Sequence, residues 1–296
     1  MAEGRLPFLD ERMVLKQRRR SRQLAQWHRE RGIRPKQNET RTKIMKAKAT
    51  DNGIIADVEL HRTFVYELKH VAHTEKRVER EQVHLIRTPY RWLVYQAEPL
   101  ADEAGLWQQV PHLSEPYINA SVIGSPYRGI RYDRRKVRQY ADKWWNGANP
   151  KYIRFEVDCT NFVSQCLHAG GAPMQYTGRR ERGWWYQGKH GNRELWSYSW
   201  AVAQSLTHYL SSSRSGLRAE RVESAGQLTV GDVITYDWNG SGRFGHSVIV
   251  AAIAADGMPL VNAHTTESYH RYWDYRDSYA WTENTKYRFF HICDEF

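Results

Sequence analysis

Three cysteines occur in the 296 residues, Cys159, Cys166 and Cys293, and one stands where a thiol can become a nucleophile. The run Asp158-Cys159-Thr160-Asn161-Phe162-Val163-Ser164-Gln165-Cys166-Leu167 reads as a helix start. Asp158 can accept from the free amides of a first turn. Phe162, Val163, Cys166 and Leu167 fall at helical spacing on one apolar face. Gly170-Gly171 supplies a stop, since glycine accepts the left-handed geometry of a helix C-cap. Cys159 then sits at a helix N-terminus, where unpaired N–H groups and the helix dipole favour the thiolate. The charge of Asp158 opposes this, so the cysteine needs a base. The same residues also fit a small buried cysteine with no chemistry.

His246 is a candidate base. It follows a glycine at the mouth of an apolar strand, Val248 to Val250, where its ring would be held rigidly. An imidazole beside the sulfur can take the thiol proton and later protonate a leaving amine. A third polar group on the next strand would orient the ring. His264 and Asn262 both qualify, being two apart and so on one face, and either would fix the tautomer without the full charge of a carboxylate. Thirteen histidines make chance pairings plentiful, so a purely structural His246 stays open. Cys159 and Cys166 lie seven residues apart on one helix, about 10 Å, beyond the span of about 7 Å that a disulfide bridges. There is no Cys-x-x-Cys or His-x-x-x-His pattern for zinc, and no cofactor is implied.

The elements that must position this pair follow an α+β order, helices first and an antiparallel sheet after. Asp133 can cap a helix carrying Val137, Tyr140, Ala141 and Trp144 inward and ending at Asn146-Gly147. The Cys159 helix follows. An aromatic-rich loop holds Trp184, Trp185, Tyr186 and Trp196, and a third helix spans about 199–210 with Ala203, Leu206 and Leu210 inward. Trp184, Trp185, Trp196 and Trp200 could line a groove for sugar or peptide, or fill a core. Strands are expected at 233–236, 245–250, 260–264 and 287–292, with a hairpin turn at Asp256-Gly257.

The first half reads differently. Residues 1–50 are strongly basic, with Arg18-Arg19-Arg20-Ser21-Arg22. They suit an amphipathic helix up to about Gly32 and a flexible segment near Pro35, serving either as an arm for an anionic polymer or surface or as a solvated tail. Residues 53–99 alternate at period two through Val58, Leu60, Arg62, Phe64, Tyr66 and Leu68, predicting a small accessory β-rich region of three or four antiparallel strands. His61, His70, His73 and His84 are scattered over it and form no chemical cluster. Residues 100–131, with Pro111, Pro116, Gly124, Pro126 and Gly129, read as a linker. The net charge of +11 favours acidic partners such as nucleic acid, anionic polymers or a membrane surface. The N-terminus has no apolar core like that of a signal peptide, and no long apolar run follows. The default expectation is a cytoplasmic protein, or one exported by an unseen route.

Residues 132–296 resemble the putative amidase domain family of Gram-positive bacteria, a branch of the papain-like cysteine peptidases and amidases related to CHAP domains. The likeness is carried by Tyr132-Asp133-Arg134 with Tyr140-Ala141-Asp142-Lys143-Trp144-Trp145, by the run from Asp158 to Leu167, by Gly231-Asp232-Val233-Ile234-Thr235-Tyr236-Asp237-Trp238 with Gly245-His246-Ser247, and by Asn262-Ala263-His264-Thr265. Residues 1–131 are not covered, although the β-rich stretch resembles accessory regions that precede such domains. The resemblance implies a papain-like core and a cysteine hydrolase acting on an amide or peptide bond, in a peptidoglycan stem peptide or its fragments. It implies Cys159 as nucleophile, His246 as base and His264 as the orienting residue, with Asn262 second. Asp158 precedes the nucleophile as in many cell-wall relatives and is a further orienting or oxyanion candidate; the Cys159 N–H is a natural oxyanion donor. The rivals are a catalytically silent module of the same fold, a basic protein binding nucleic acid or cell wall, and an acyltransferase using the same pair.

Overall fold

The computed structural model describes residues 8–100, 129–190 and 193–296. The expected linker lies largely outside the described residues. The chain divides into two compact units, residues 1–102 and 103–296.

In the first unit, helix α1 (Glu11–Glu30) is capped by Asp10, whose carboxylate accepts from the Arg12 amide at 3.0 Å. The chain leaves the helix at Gly32, whose φ of 67° needs the freedom of glycine. The segment near Pro35, expected from the sequence to be flexible, lies in strand β1 (Arg34–Thr50). β2 (Gly53–Leu68), β3 (Val71–Arg87) and β4 (Trp92–Pro99) follow, antiparallel in the order β1-β2-β3-β4. Pro35 is tolerated because β1 is an edge strand, with the second face of its hydrogen-bonding ladder unused. The period-two pattern of β2 is real: Ala56, Val58, Leu60, Tyr66 and Leu68 share one buried face. α1 lies on that face, where His28 stacks on Phe64 and Phe64 on Tyr66.

The second unit is α+β. Its helices are α2 (Arg134–Trp144), α3 (Cys159–Ala169), α4 (Tyr198–Ala201) and α5 (Ala203–Ser212), and β5 (Tyr186–His190) with β6 (Arg193–Trp196) makes a two-stranded ribbon. The third helix expected from the sequence is thus two, broken at Val202, whose extended φ and ψ interrupt the turn. The strands are β7 (Ala219–Val222), β8 (Val233–Asp237), β9 (His246–Ile253), β10 (Pro259–Ala263), β11 (Glu267–Tyr272) and β12 (Lys286–Ile292). They form an antiparallel sheet in the order β11-β10-β9-β8-β12-β7.

Alternation along β8, β9 and β12 gives this sheet two apolar layers. Val233, Ile249, Ala251, Phe290 and Ile292 pack on the helices with Val137, Phe162, Val163, Leu167 and Leu206. Ile234, Tyr236, Val248, Val250 and Phe289 face the other way, against Tyr275 and Ala280. Each fully buried Val, Leu or Phe contributes about 1.5–3 kcal/mol. α2 and α3 approach closely at Gly170, where a Cβ would stand 2.4 Å from Val137 and 2.7 Å from Tyr132. Gly170 is therefore a packing glycine in right-handed geometry, and Gly171, with φ 96°, takes the left-handed turn.

Candidate active site

Cys159 opens α3, and the first turn of that helix carries no side-chain cap. Asp158 does not accept from first-turn amides, as the sequence suggested, because its carboxylate is engaged elsewhere. One oxygen accepts from the Phe155 amide (3.0 Å) and from the Asn161 side chain (2.8 Å); the other faces His264 Nδ1 at 2.6 Å. The backbone amide of Asp158 donates to the Thr265 hydroxyl. The leading amides of α3 thus remain available to a ligand, and Asp158 ties the preceding loop to the segment after β10.

His246 is the first residue of β9, opposite Tyr236 on β8. It shares the parity of Val248 and Val250, and its ring sits among Tyr236, Trp238 and Tyr275, with centroids 5.4–5.8 Å away. The pair meets where the strand begins. The Ser247 amide and the His246 side chain both reach the Cys159 sulfur, and the Thr160 hydroxyl lies 3.7 Å from it. Thr160 is itself fixed by the Ser247 hydroxyl at 2.9 Å.

Electrostatics separate the three cysteines. Burial pushes the Cys159 thiol up, but the hydrogen bond and charge of His246, the Ser247 amide and the Thr160 hydroxyl outweigh it and hold the thiol below the ordinary range. Burial drives Cys166, seven residues along the same helix, well above that range, and raises Cys293. Cys159 and His246 are 2% and 1% exposed, so the pair is closed off from solvent. His246 Nε2 is buried with no hydrogen-bond partner among the described residues.

The expected orienting residues do not reach it. His264 is engaged at both nitrogens, Nδ1 with Asp158 and Nε2 with the Trp144 carbonyl at 2.7 Å, and stacks on Phe162 at 4.0 Å. Asn262 donates to Asp142 at 3.0 Å and accepts from the His270 amide at 2.7 Å. Both point to the helical side of the sheet by the alternation of β10: Asn262 lies opposite Ile249 of the helix-side layer and His264 is two residues on, whereas His246 has the parity of the opposite layer. His246 is positioned by aromatic packing instead. The sequence-level view missed Tyr275, which lies in a stretch with no periodicity, and missed the Thr160–Ser247 link, whose only signal is a hydroxyl directly after each of Cys159 and His246.

The tryptophans expected to line a groove fill the interior. Trp184 and Trp185 are 0% and 1% exposed. The Trp184 indole donates to Ser164, and that of Trp185 donates to the Arg182 carbonyl. Trp196 is half-buried, packed edge-on against Phe155 and covered by the Arg180 guanidinium at 3.7 Å. Among the described residues no group of three or more His, Cys, Asp or Glu side chains could hold a metal ion. No helix among them is long and apolar enough to cross a membrane.

A family model described as a putative amidase domain matches residues 131–290, which include Cys159, His246, His264 and Asn262. The chain belongs to the putative amidase domain family. An uncharacterized protein of Bacillus subtilis, YhbB, is 54% identical over 168 residues, which make up 57% of this chain and 52% of that protein. The chain therefore spans about half the length of that relative. No solved structure matches the chain. Membership in the putative amidase domain family points to an amide hydrolase.

Proposed function

We propose that residues 131–296 form a cysteine-dependent amide hydrolase with Cys159 as nucleophile and His246 as general base. The observation that carries this is the junction of α3 with β9: the hydroxyls of Thr160 and Ser247, the residues directly after Cys159 and His246, meet at 2.9 Å and bring the sulfur at the uncapped helix start beside the imidazole. In the reaction, the Cys159 sulfur adds to the amide carbonyl as its proton passes to His246. The C–N bond then breaks, and the leaving amine takes that proton from the imidazolium. Water, deprotonated by His246, hydrolyses the thioester, releasing the acid and restoring the thiol. The Cys159 N–H, at the uncapped start of α3, is the donor for the developing oxyanion.

A papain-like core is the fold that this arrangement suggests. A nucleophile at a helix N-terminus packed against an antiparallel sheet, with histidine heading a strand, supports it. The third member is the departure, since His264 and Asn262 brace the helices. The substrate proposed is an amide in a peptide, with peptidoglycan stem peptides the first class to try. The test is incubation with purified peptidoglycan and its soluble fragments, read by mass spectrometry. New carboxyl and amine ends that vanish in both Cys159→Ser and His246→Ala support the proposal. Substrates left unchanged by the folded wild type, across amides and peptides, remove it.

The burial of both side chains favours a second reading, a silent module of the same fold. It predicts that Cys159 is alkylated no faster than Cys166 in the folded protein.

A further inference from the structure

The positive charge of the chain is concentrated at its beginning. Residues 8–50 hold fourteen Lys and Arg against four Asp and Glu, and α1 divides them by face. The inner face carries Met13, Leu24, Trp27 and His28, and its cations are matched: Lys16 and Arg20 act on Glu81 of β3, and Arg31 lies over the Trp27 ring at 4.5 Å. The outer face reads Arg12, Leu15, Arg19, Arg22, Gln26 and Arg29, a spacing of three and four that keeps one stripe along a helix about 30 Å long. All six are exposed, Arg18 flanks them, and among the described residues none of these five arginines makes an ion pair. The acids of the helix, Glu11 and Glu30, stand at its two ends, so the middle of the stripe is uniformly cationic.

Apolar side chains stand in and beside this stripe. Leu15 is 67% exposed in the middle of the arginines. At the start of the helix, Phe8 is 68% exposed, and its carbonyl accepts from the Val94 amide of β4. That bond puts it beside the β3–β4 turn, where Tyr90 is 95% exposed and Trp92, next to Arg91 and opposite Arg87, is 42% exposed. Strand register puts Trp92 on the α1 side of the sheet: Trp92 and Val94 share a face, Val94 lies opposite Leu85, and Leu85 lies opposite Ile54, on the β2 face that α1 covers.

We propose that the outer face of α1, with the aromatic edge at its start, docks on an anionic lipid bilayer. A soluble polyanion would need only the cations. Leu15 offers no plane on which a nucleic-acid base could stack, but an aliphatic side chain among arginines, flanked by Trp and Tyr, suits the boundary between headgroups and acyl chains. Arginine forks grip lipid phosphates, and each cation near such a surface strengthens binding roughly fivefold. The surface lies wholly in the first unit and does not depend on the hydrolase proposal.

The test is co-sedimentation of the full chain with vesicles of phosphatidylcholine alone or mixed with phosphatidylglycerol, across a salt series. Expected are binding only to the mixed vesicles, a fall with rising salt, more than tenfold weaker partitioning of Arg19→Glu/Arg22→Glu, and a severalfold loss in Leu15→Asp that persists at low salt. All three substituted positions are exposed, and the wild-type salt series stands independently of them. Absence of phosphatidylglycerol-dependent binding overturns the proposal. So does equal binding to single-stranded DNA or inorganic polyphosphate with Leu15→Asp unaffected, which would make the stripe a site for soluble polyanions.

Discussion

Cys159 and Cys166 differ in what surrounds the sulfur, and their comparison is a built-in control. With iodoacetamide at neutral pH, mapped by mass spectrometry, Cys159 is expected to label at least tenfold faster than Cys166, since both thiols are buried and His246 favours the thiolate of Cys159 alone. The pH dependence follows from the same balance. A lowered thiol keeps its thiolate to lower pH than an ordinary one and loses reactivity as pH falls, so the alkylation midpoint of Cys159 lies below that of an ordinary cysteine. In His246→Ala the stabilising partner is gone and burial remains, so the midpoint moves above that value. A midpoint that does not change direction would remove His246 from its assigned role. At this scale the sequence was legible for the pair and illegible for its support. A cysteine at a helix start and a histidine at a strand mouth leave local signatures. The engagement of His264 by Asp158 depends on the pairing of β10 with β9, which puts His264 on the face opposite His246, and sequence spacing cannot fix that register.

At the scale of the element, α3 is held at its first turn by Asp158 and at its last by Gly170. Asp158→Ala leaves His264 buried without its carboxylate and frees the Phe155 amide and the Asn161 side chain, a loss of about 3 kcal/mol expected from leaving these buried hydrogen-bonding groups unsatisfied. Asp158→Asn, which keeps an acceptor for the Phe155 amide, should lose less; urea unfolding of the two variants measures the difference. Gly170→Ala drives a methyl into Val137 and Tyr132 and is expected to cost about 1–3 kcal/mol by the same assay. Helices α2 and α3 and strands β8, β9, β10 and β12 were all readable from apolar spacing and turn residues. β7 and β11 were not. β7 has four residues and little apolar content, and β11, Glu-Ser-Tyr-His-Arg-Tyr, buries its polar residues against ion partners such as the Asp277 carboxylate of Arg271. β1 was missed because its side chains are almost all exposed, leaving no hydrophobic pattern to find.

Across the second unit as a whole, one side chain gathers distant parts of the chain. Arg134, at the start of α2, donates to Asp232 (2.7 Å), to the Val230 and Ile292 carbonyls and to Asp294. Asp232 is fully buried and also accepts from the amides of Thr229 and Ile292 and faces His291. Arg134→Met strands that carboxylate and is expected to lower stability by about 3–5 kcal/mol, read as a fall in thermal midpoint, while Arg134→Lys recovers part of it. The composition foretold a basic protein with a large core, and the resemblance foretold the family to which residues 131–290 belong. Neither could show that the tryptophans close the interior, because an indole in a core and one in a groove look alike in a sequence.

The burial of Cys159 decides how its sulfur ages. A lowered thiol in reach of water is the first target of hydrogen peroxide, passing through sulfenic acid to forms that cannot be restored. Here Cys159 is 2% exposed, so water and peroxide reach its sulfur only when the surroundings open. Inactivation by peroxide should then keep pace with how often the fold breathes, with little dependence on how much peroxide is present once opening is the slow step.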